Sequence, residues 1–306
     1  VTVRFLALSL GVLIVSTAAL LIRWAIDAGA GPLAIAAGRL TLAALVVVPL
    51  AVALRGRELA RMPRRDWAIA AVAGAFLAVH FATWVASLRY TSVASSVALV
   101  TTNPVWVGLL SWLLLAEPPS RRAVVGIALA VLGSALIIAS DLAGGPPEPG
   151  RVPLLGNALA LAGAIAISVY FLVGRGLNRR LSLLAYVAIV YGAGALAMNG
   201  IAIAGGQSLW TIPAAAWLPI AALAIGPQLA GHTLINASLR HLSATFVALA
   251  ILGEPVGAAV LAWLLLGETF TLLQLAGFGT LLAGIVVAAS GERSGPAPAP
   301  AAAGSA

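Results

Sequence analysis

Residues 103–117 read NPVWVGLLSWLLLAE, and residues 254–268 read EPVGAAVLAWLLLGE. The two align without a gap, proline on proline and terminal glutamate on terminal glutamate. The register runs back to Leu88-Arg89 against Leu239-Arg240, and forward from Gly126 and Gly133 onto Gly277 and Gly284. The second half of the chain therefore repeats the first. Each half holds about five apolar segments near the roughly 20-residue length of a membrane-spanning helix. An odd number of crossings turns the second copy over, and inverted repeats around a mid-membrane site are the architecture of secondary transporters.

Composition agrees. Of 306 residues, 62% are apolar and only 8% charged, and the mean hydropathy is +1.08. Soluble domains carry about 25% charged residues, so most of this chain is expected in lipid. The formal charge of +8 needs no nucleic acid. All 17 basic residues are arginine, and they sit almost entirely between apolar runs. The chain has 0 cysteines, which excludes disulfides, thiolate metal sites and thiol catalysis. The N-terminal apolar run lacks a small-residue cleavage site and reads as a retained first helix.

The hydropathy pattern predicts helices over 4–22, 32–54, 67–88, 92–115, 121–140, 153–173, 181–204, 213–236, 243–266 and 270–290. This is an all-α integral membrane fold, with a first repeat over 1–140, a connecting loop over 141–152, a second repeat over 153–290 and a disordered tail over 291–306. With the N-terminus inside, the inner loops hold Arg55, Arg57, Arg61, Arg64, Arg65, Arg121, Arg122, Arg175, Arg179, Arg180 and Arg240. Arg4 and Arg293 lie at the termini on the same side, while only Arg23, Arg89 and Arg151 fall in outer loops. Arginine concentrates on the cytoplasmic side of membrane proteins, so both termini are expected there. Trp24, Trp67, Trp210 and Trp217 fall near span ends, where interfacial aromatics anchor helices.

Polar residues inside the spans are the functional candidates, because burying them in lipid is costly. His80 and Trp84 lie four residues apart on one face of the third helix. They could line a pocket for an amphipathic solute, or the histidine could simply bond a neighbouring helix. The fourth helix carries Thr101, Thr102 and Asn103 before Pro104, and Trp106 lies one turn past Thr102. Proline removes a donor and frees a carbonyl, and such breaks are tolerated where they line a cavity. The alternative is ordinary bonding between helices by Thr and Asn.

The repeat partner of Asn103 is Glu254, just before Pro255. A carboxylate at that depth must be neutral or paired. It is either a proton-coupling or cation-binding group, or a structural acceptor at the proline kink. Gln228, His232 and Asn236 form a polar stripe on the eighth helix after Pro227, with Gln228 the deepest. Arg39, inside the second span, needs an anion, a helix C-terminus or water; it is expected to be structural, with substrate contact the alternative. Glu117 and Glu268 are each expected to cap the helix that follows, opened by Ser120 or Thr271.

At these residues the chain resembles the EamA family of the drug/metabolite transporter superfamily. The motifs are Leu88-Arg89-Tyr90-Thr91-Ser92 into Pro104 and Glu117, then Gly126 and Gly133, with their recurrence at Glu254-Pro255-Val256, 263–268, Gly277 and Gly284. The resemblance covers about residues 5–290. It implies a bacterial inner-membrane carrier with two inverted five-helix repeats around a central cavity. The first, third, fourth, sixth, eighth and ninth helices would line that cavity. The fifth and tenth would pack behind, their glycines allowing close approach.

Such carriers export small metabolites, commonly amino acids, by alternating access. Carried over, the substrate-binding candidates are His80, Trp84, Asn103, Trp106, Gln228 and Glu254. Pro104 and Pro255 would act as hinges. The partners implied are a small-molecule substrate and the bilayer, with no cofactor, metal or nucleic acid; a monomer and a dimer fit equally. The small multidrug-resistance relatives carry an essential glutamate in their first helix. The first span here has no acidic residue, which weakens a cationic-drug reading and leaves Glu254 as the alternative coupling group. An enzyme is disfavoured, since no Gly-x-Ser-x-Gly or His-Glu-x-x-His motif occurs.

Overall fold

The computed structural model describes residues 2–115, 120–143, 151–238, 251 and 253–290. Glu117, Arg240, most of the connecting loop, the start of the ninth apolar run and the tail after 290 lie outside these residues. Among the described residues the chain is helical and no strand occurs. Among the described residues ten helical rods follow one another. They are α1 (Thr2–Ser16 and Ala18–Asp27), α2 (Pro32–Ala60), α3 (Arg64–Tyr90), α4 (Val93–Val100 and Asn103–Leu115) and α5 (Arg121–Ala143). The second half gives α6 (Pro153–Arg180), α7 (Leu183–Ala204), α8 (Trp217–Leu223, Ala224–Gly231 and His232–Ser238), α9 (Gly253–Leu266) and α10 (Leu272–Ser290).

The first 8 rods are long and apolar enough to cross a membrane, and α9 and α10 are shorter apolar helices. Their outer surfaces are apolar too, with Leu113, Leu196 and Leu218 exposed. Apolar surface on that scale is the signature of a lipid-facing body.

Packing follows the repeat. Helix α3 packs on α6 and α7, and its counterpart α8 packs on α1 and α2. Likewise α4 rests on α6 and α9 on α1, while α2 pairs with α7 and α5 with α10. Each of these contacts in one half has its image in the other, as an inverted repeat requires.

The α5–α10 pair shows why the repeated glycines are needed. A Cβ on Gly133 would fall 2.7 Å from the Gly277 carbonyl oxygen, and one on Gly284 equally 2.7 Å from that of Gly126. Only glycine lets these backbones meet, the device membrane helices use where lipid supplies no hydrophobic drive.

Several rods outrun their apolar segments. Helix α2 reaches Ala60 and α6 reaches Arg180, against expected ends at 54 and 173. Hydropathy marks only the part in lipid, whereas Arg and Glu are good helix formers that continue the rod into water.

Two rods break where the sequence has hydroxyls. In α1 the Thr17 hydroxyl donates to the Ile14 carbonyl at 2.7 Å. In α4 the break at Thr101-Thr102 precedes Pro104; Thr101 donates to Val97 and Ala98, and Thr102 to Leu99. At Ile14, Val97 and Leu99 the hydroxyl adds a second donor to a carbonyl that the same threonine's amide already bonds. Pro255 instead occupies the first turn of Gly253–Leu266, where its missing N–H is no loss.

The two ends of the bundle differ. The end poor in arginine is tied together both within and between repeats. Gln207 accepts from the Leu33 and Ala34 amides that open α2, and Arg23 donates to the Thr91 carbonyl at 2.8 Å. Asp141, in the last turn of α5, accepts from Ser95, Asn157 and Gln274. At the arginine-rich end Glu58 accepts from the Ser182 amide (2.6 Å) and hydroxyl (2.7 Å), capping α7, and Arg180 pairs with Asp66 at 3.2 Å. The Arg180 side chain is mostly exposed, so that ion pair contributes about 0–1 kcal/mol.

The glutamate ending α9 corrects an expectation. Thr271 and Gln274 cap α10 themselves by reciprocal bonds of 3.1 Å. Glu268 reaches instead to the start of α4, where the Val93 and Ala94 amides donate to it.

Candidate functional site

The second span begins with Pro32 and buries one charge. Arg39 has 0% of its surface exposed. Its Nε donates to the Gln228 side-chain oxygen at 2.6 Å, a bond that joins α2 of the first repeat to α8 of the second. Gln228 lies within Ala224–Gly231, which winds as a π-helix around Pro227. That wider turn removes the regular ladder and is common at functional positions. Gln228 is itself 1% exposed.

Aromatic rings surround the guanidinium. Its carbon stands 4.0 Å from the Phe81 ring centroid and 5.9 Å from that of Trp84. Such cation–π contact contributes about 2 kcal/mol when desolvated. His80 stacks on Trp84, centroids 5.7 Å apart and planes 20° off parallel. The His80 Nδ1 lies 2.9 Å from the Gly163 carbonyl of α6, to which it can donate.

Tyr191, Glu254, His80 and His232 all lie within electrostatic range of Arg39. The Tyr191 hydroxyl meets the Gln228 amide. Glu254 is half-buried, makes no ion pair with Arg39 and bonds no described residue.

Three buried donors in this cluster lack an acceptor. They are both terminal nitrogens of Arg39 and the indole nitrogen of Trp84. Native structures leave few buried polar groups unsatisfied, and a bare charge is costlier still. The arrangement is suited to holding a solute group that supplies acceptors.

Four of the six expected site residues, His80, Trp84, Gln228 and Glu254, gather here. Asn103 and Trp106 do not join them through any hydrogen bond or ring contact among the described residues. The Asn103 carbonyl accepts from Ser168 on α6 at 3.0 Å, and the Trp106 indole donates to Thr102 at 3.0 Å. Sequence reasoning assigned Arg39 a structural role and passed over Tyr191. The available signal was a lone arginine inside the predicted span 32–54, which holds no acidic residue. His232 lies within electrostatic range of Arg39 and His80.

A cavity of about 740 Å³ lies on the arginine-rich side of the cluster, between α2, α7 and α8. Val47, Leu50, Val187, Leu229 and Thr233 line it. Val187 is one turn from Tyr191, and Leu229 and Thr233 adjoin Gln228 and His232 in the chain. A second cavity of about 410 Å³ sits between α4, α9 and α10. Residues such as Ala98, Pro255, Val256 and Phe278 line it, all apolar, and it holds no chemistry.

Known proteins share this pattern. The model of the EamA-like transporter family matches residues 4–139 and 154–290. The chain is similar to the "Uncharacterized transporter YetK" of Bacillus subtilis (strain 168), 27% identical over 210 residues. That match covers 65% of this chain and 61% of the relative, so the chain spans about three-fifths of the curated protein it matches. A solved crystal structure at 22% identity superposes with a TM-score of 0.60, covering 94% of this chain and 96% of the other, and shows the same fold. The two matched segments are the two repeats seen in the packing, and the chain belongs to the EamA-like transporter family.

Proposed function

We propose that this membrane transporter exports small metabolites, amino acids foremost, across a bacterial inner membrane by alternating access, with both termini cytoplasmic. The observation that carries this is the Arg39–Gln228 contact. It is a buried polar bond between the two repeats, within two predicted spans, and inverted-repeat carriers hold their solutes at the repeat interface. The asymmetry of the ends supports it. Cross-repeat bonds tie the arginine-poor end, while the 740 Å³ cavity lies toward the arginine-rich end. By the arginine rule that end would face the cytoplasm, with Pro104 and Pro255 as the hinges of the carrier. The solute would meet His80, Trp84, Gln228 and Glu254, with Asn103 and Trp106 farther along its path.

Uptake of radiolabelled amino acids into proteoliposomes, with and without an imposed pH gradient, tests the proposal. Saturable movement of several amino acids is the expected result. Absence of any such movement, with gradient-driven movement of a cationic dye, would replace it.

That replacement is the second reading, proton-coupled export of amphipathic or cationic compounds through Glu254. One feature favours it: the Glu254 carboxylate bonds no described residue yet lies within electrostatic range of Arg39. A carboxylate so placed could exchange a proton for a cationic group.

A further inference from the structure

We propose that the outer edge of the Arg39 guanidinium, together with the Trp84 indole N–H, is a carboxylate-binding subsite. The proposal rests on the reading of the chain as a metabolite carrier and names the chemistry by which it recognises cargo.

A guanidinium has five N–H donors in a fixed planar fork. Gln228 takes the one on Nε. This bond holds the plane so that the remaining edge, both terminal nitrogens, points away from Gln228. That edge is buried and has no partner. Two parallel N–H groups at such an edge match the two oxygens of a carboxylate, and this bidentate pairing is what arginine does better than lysine. The Trp84 indole N–H is a third donor without an acceptor, and its ring lies 5.9 Å from the guanidinium carbon. Arg39 thus presents a charge and a shape that no described side chain completes.

The surroundings narrow the ligand. Phe81, Trp84 and His80 offer π faces rather than further cations. One cation can neutralise one negative charge, and Glu254 already adds negative potential nearby. A dianion such as a phosphate monoester would be left with uncompensated charge. A monoanionic carboxylate attached to an apolar or aromatic group fits, and a zwitterion fits best, because its carboxylate meets Arg39 while its ammonium offsets the negative potential of Glu254. The internal alternative, Glu254 as the partner of Arg39, is not realised, since the two form no ion pair.

Binding to the purified full-length protein in lipid nanodiscs, read by calorimetry, tests the subsite without requiring transport. The probes are L-phenylalanine, 3-phenylpropionate, which lacks the ammonium, and phenethylamine, which lacks the carboxylate. Phenylalanine and 3-phenylpropionate should bind, and phenethylamine should bind at least about 10-fold more weakly, the scale of one lost charged hydrogen-bonding group. Arg39→Gln should abolish the discrimination, and Arg39→Lys should restore it only in part. Trp84→Phe keeps the ring and loses only the donor. It should fold normally and weaken carboxylate binding several-fold.

Equal binding of phenethylamine and phenylalanine would overturn the proposal. So would undiminished binding of 3-phenylpropionate to both Arg39→Gln and Trp84→Phe. Carboxylate binding that depends on Arg39, without amino-acid transport in liposomes, would leave the subsite standing and remove the export reading. Amino-acid transport that persists unchanged in Arg39→Gln would keep the export reading and remove the subsite.

Discussion

The Glu268 carboxylate accepts a hydrogen bond from the Val93 amide at 2.8 Å, so the end of α9 caps the start of α4 across the two repeats. The Ala94 amide adds a second, longer bond at 3.3 Å. An anion at a helix N-terminus satisfies donors that have no partner inside the helix and meets the positive end of its dipole. Because the bond links opposite repeats, rocking of one against the other at this end must break it.

Glu268→Ala should therefore cost about 1 kcal/mol, the usual worth of a helix cap, and loosen the arginine-poor end. The chain has 0 cysteines, so Val93→Cys gives a clean probe at a site that is 1% exposed. Labelling of that cysteine by a membrane-impermeant maleimide should speed up when Glu268→Ala is added. An unchanged rate would show that the bond does not hold this end shut.

Glu254→Gln separates the two transport readings. A broad facilitator should keep its amino-acid flux and its indifference to a pH gradient. A proton-coupled carrier should lose its gradient dependence while still exchanging solute down a concentration gradient.

Gln228→Leu removes the acceptor of the Arg39 Nε and leaves a third guanidinium nitrogen unpartnered. Loss of a hydrogen bond to a charged group costs about 1.5–3 kcal/mol, so the melting temperature in detergent should fall. Gln228→Glu keeps an acceptor and adds the missing negative charge. It should melt no lower than the parent, yet transport poorly, because the arginine then has an internal partner.

Gly133→Ala should destabilise the α5–α10 pair, since the new methyl would meet the Gly277 carbonyl oxygen at 2.7 Å and the backbone has no free space. Overpacking of this kind costs about 1–3 kcal/mol. Gly279→Ala is the control: it lies on α10 with nothing within 4 Å, and alanine there should be neutral or slightly stabilising. Equal melting temperatures for the two variants would contradict the close approach.

The sequence alone determined the architecture, because what determines it is local. The match of 103–117 to 254–268 revealed the duplication, and the count of apolar runs in each half made it inverted. Runs of about 20 apolar residues report on the bilayer as solvent, whatever packs beside them. That the glycines at 126, 133, 277 and 284 let the fifth and tenth helices approach closely came from the resemblance to the EamA family. His80 and Trp84 were found because helical spacing alone puts them on one face.

Only the tertiary structure decided which polar groups meet. Arg39 and Gln228 are 189 residues apart in the chain, and nothing near either position names the other. Arg39 therefore read as structural until folding brought it against Gln228, Phe81 and Trp84 with two nitrogens to spare. Glu268 read as a cap for the helix next in sequence, whereas the fold carries it to α4. The physical reason is common to both. Hydropathy and backbone breaks are set by a residue and its neighbours within a turn or two, but the partner of a buried polar atom is set by which helices lie beside it.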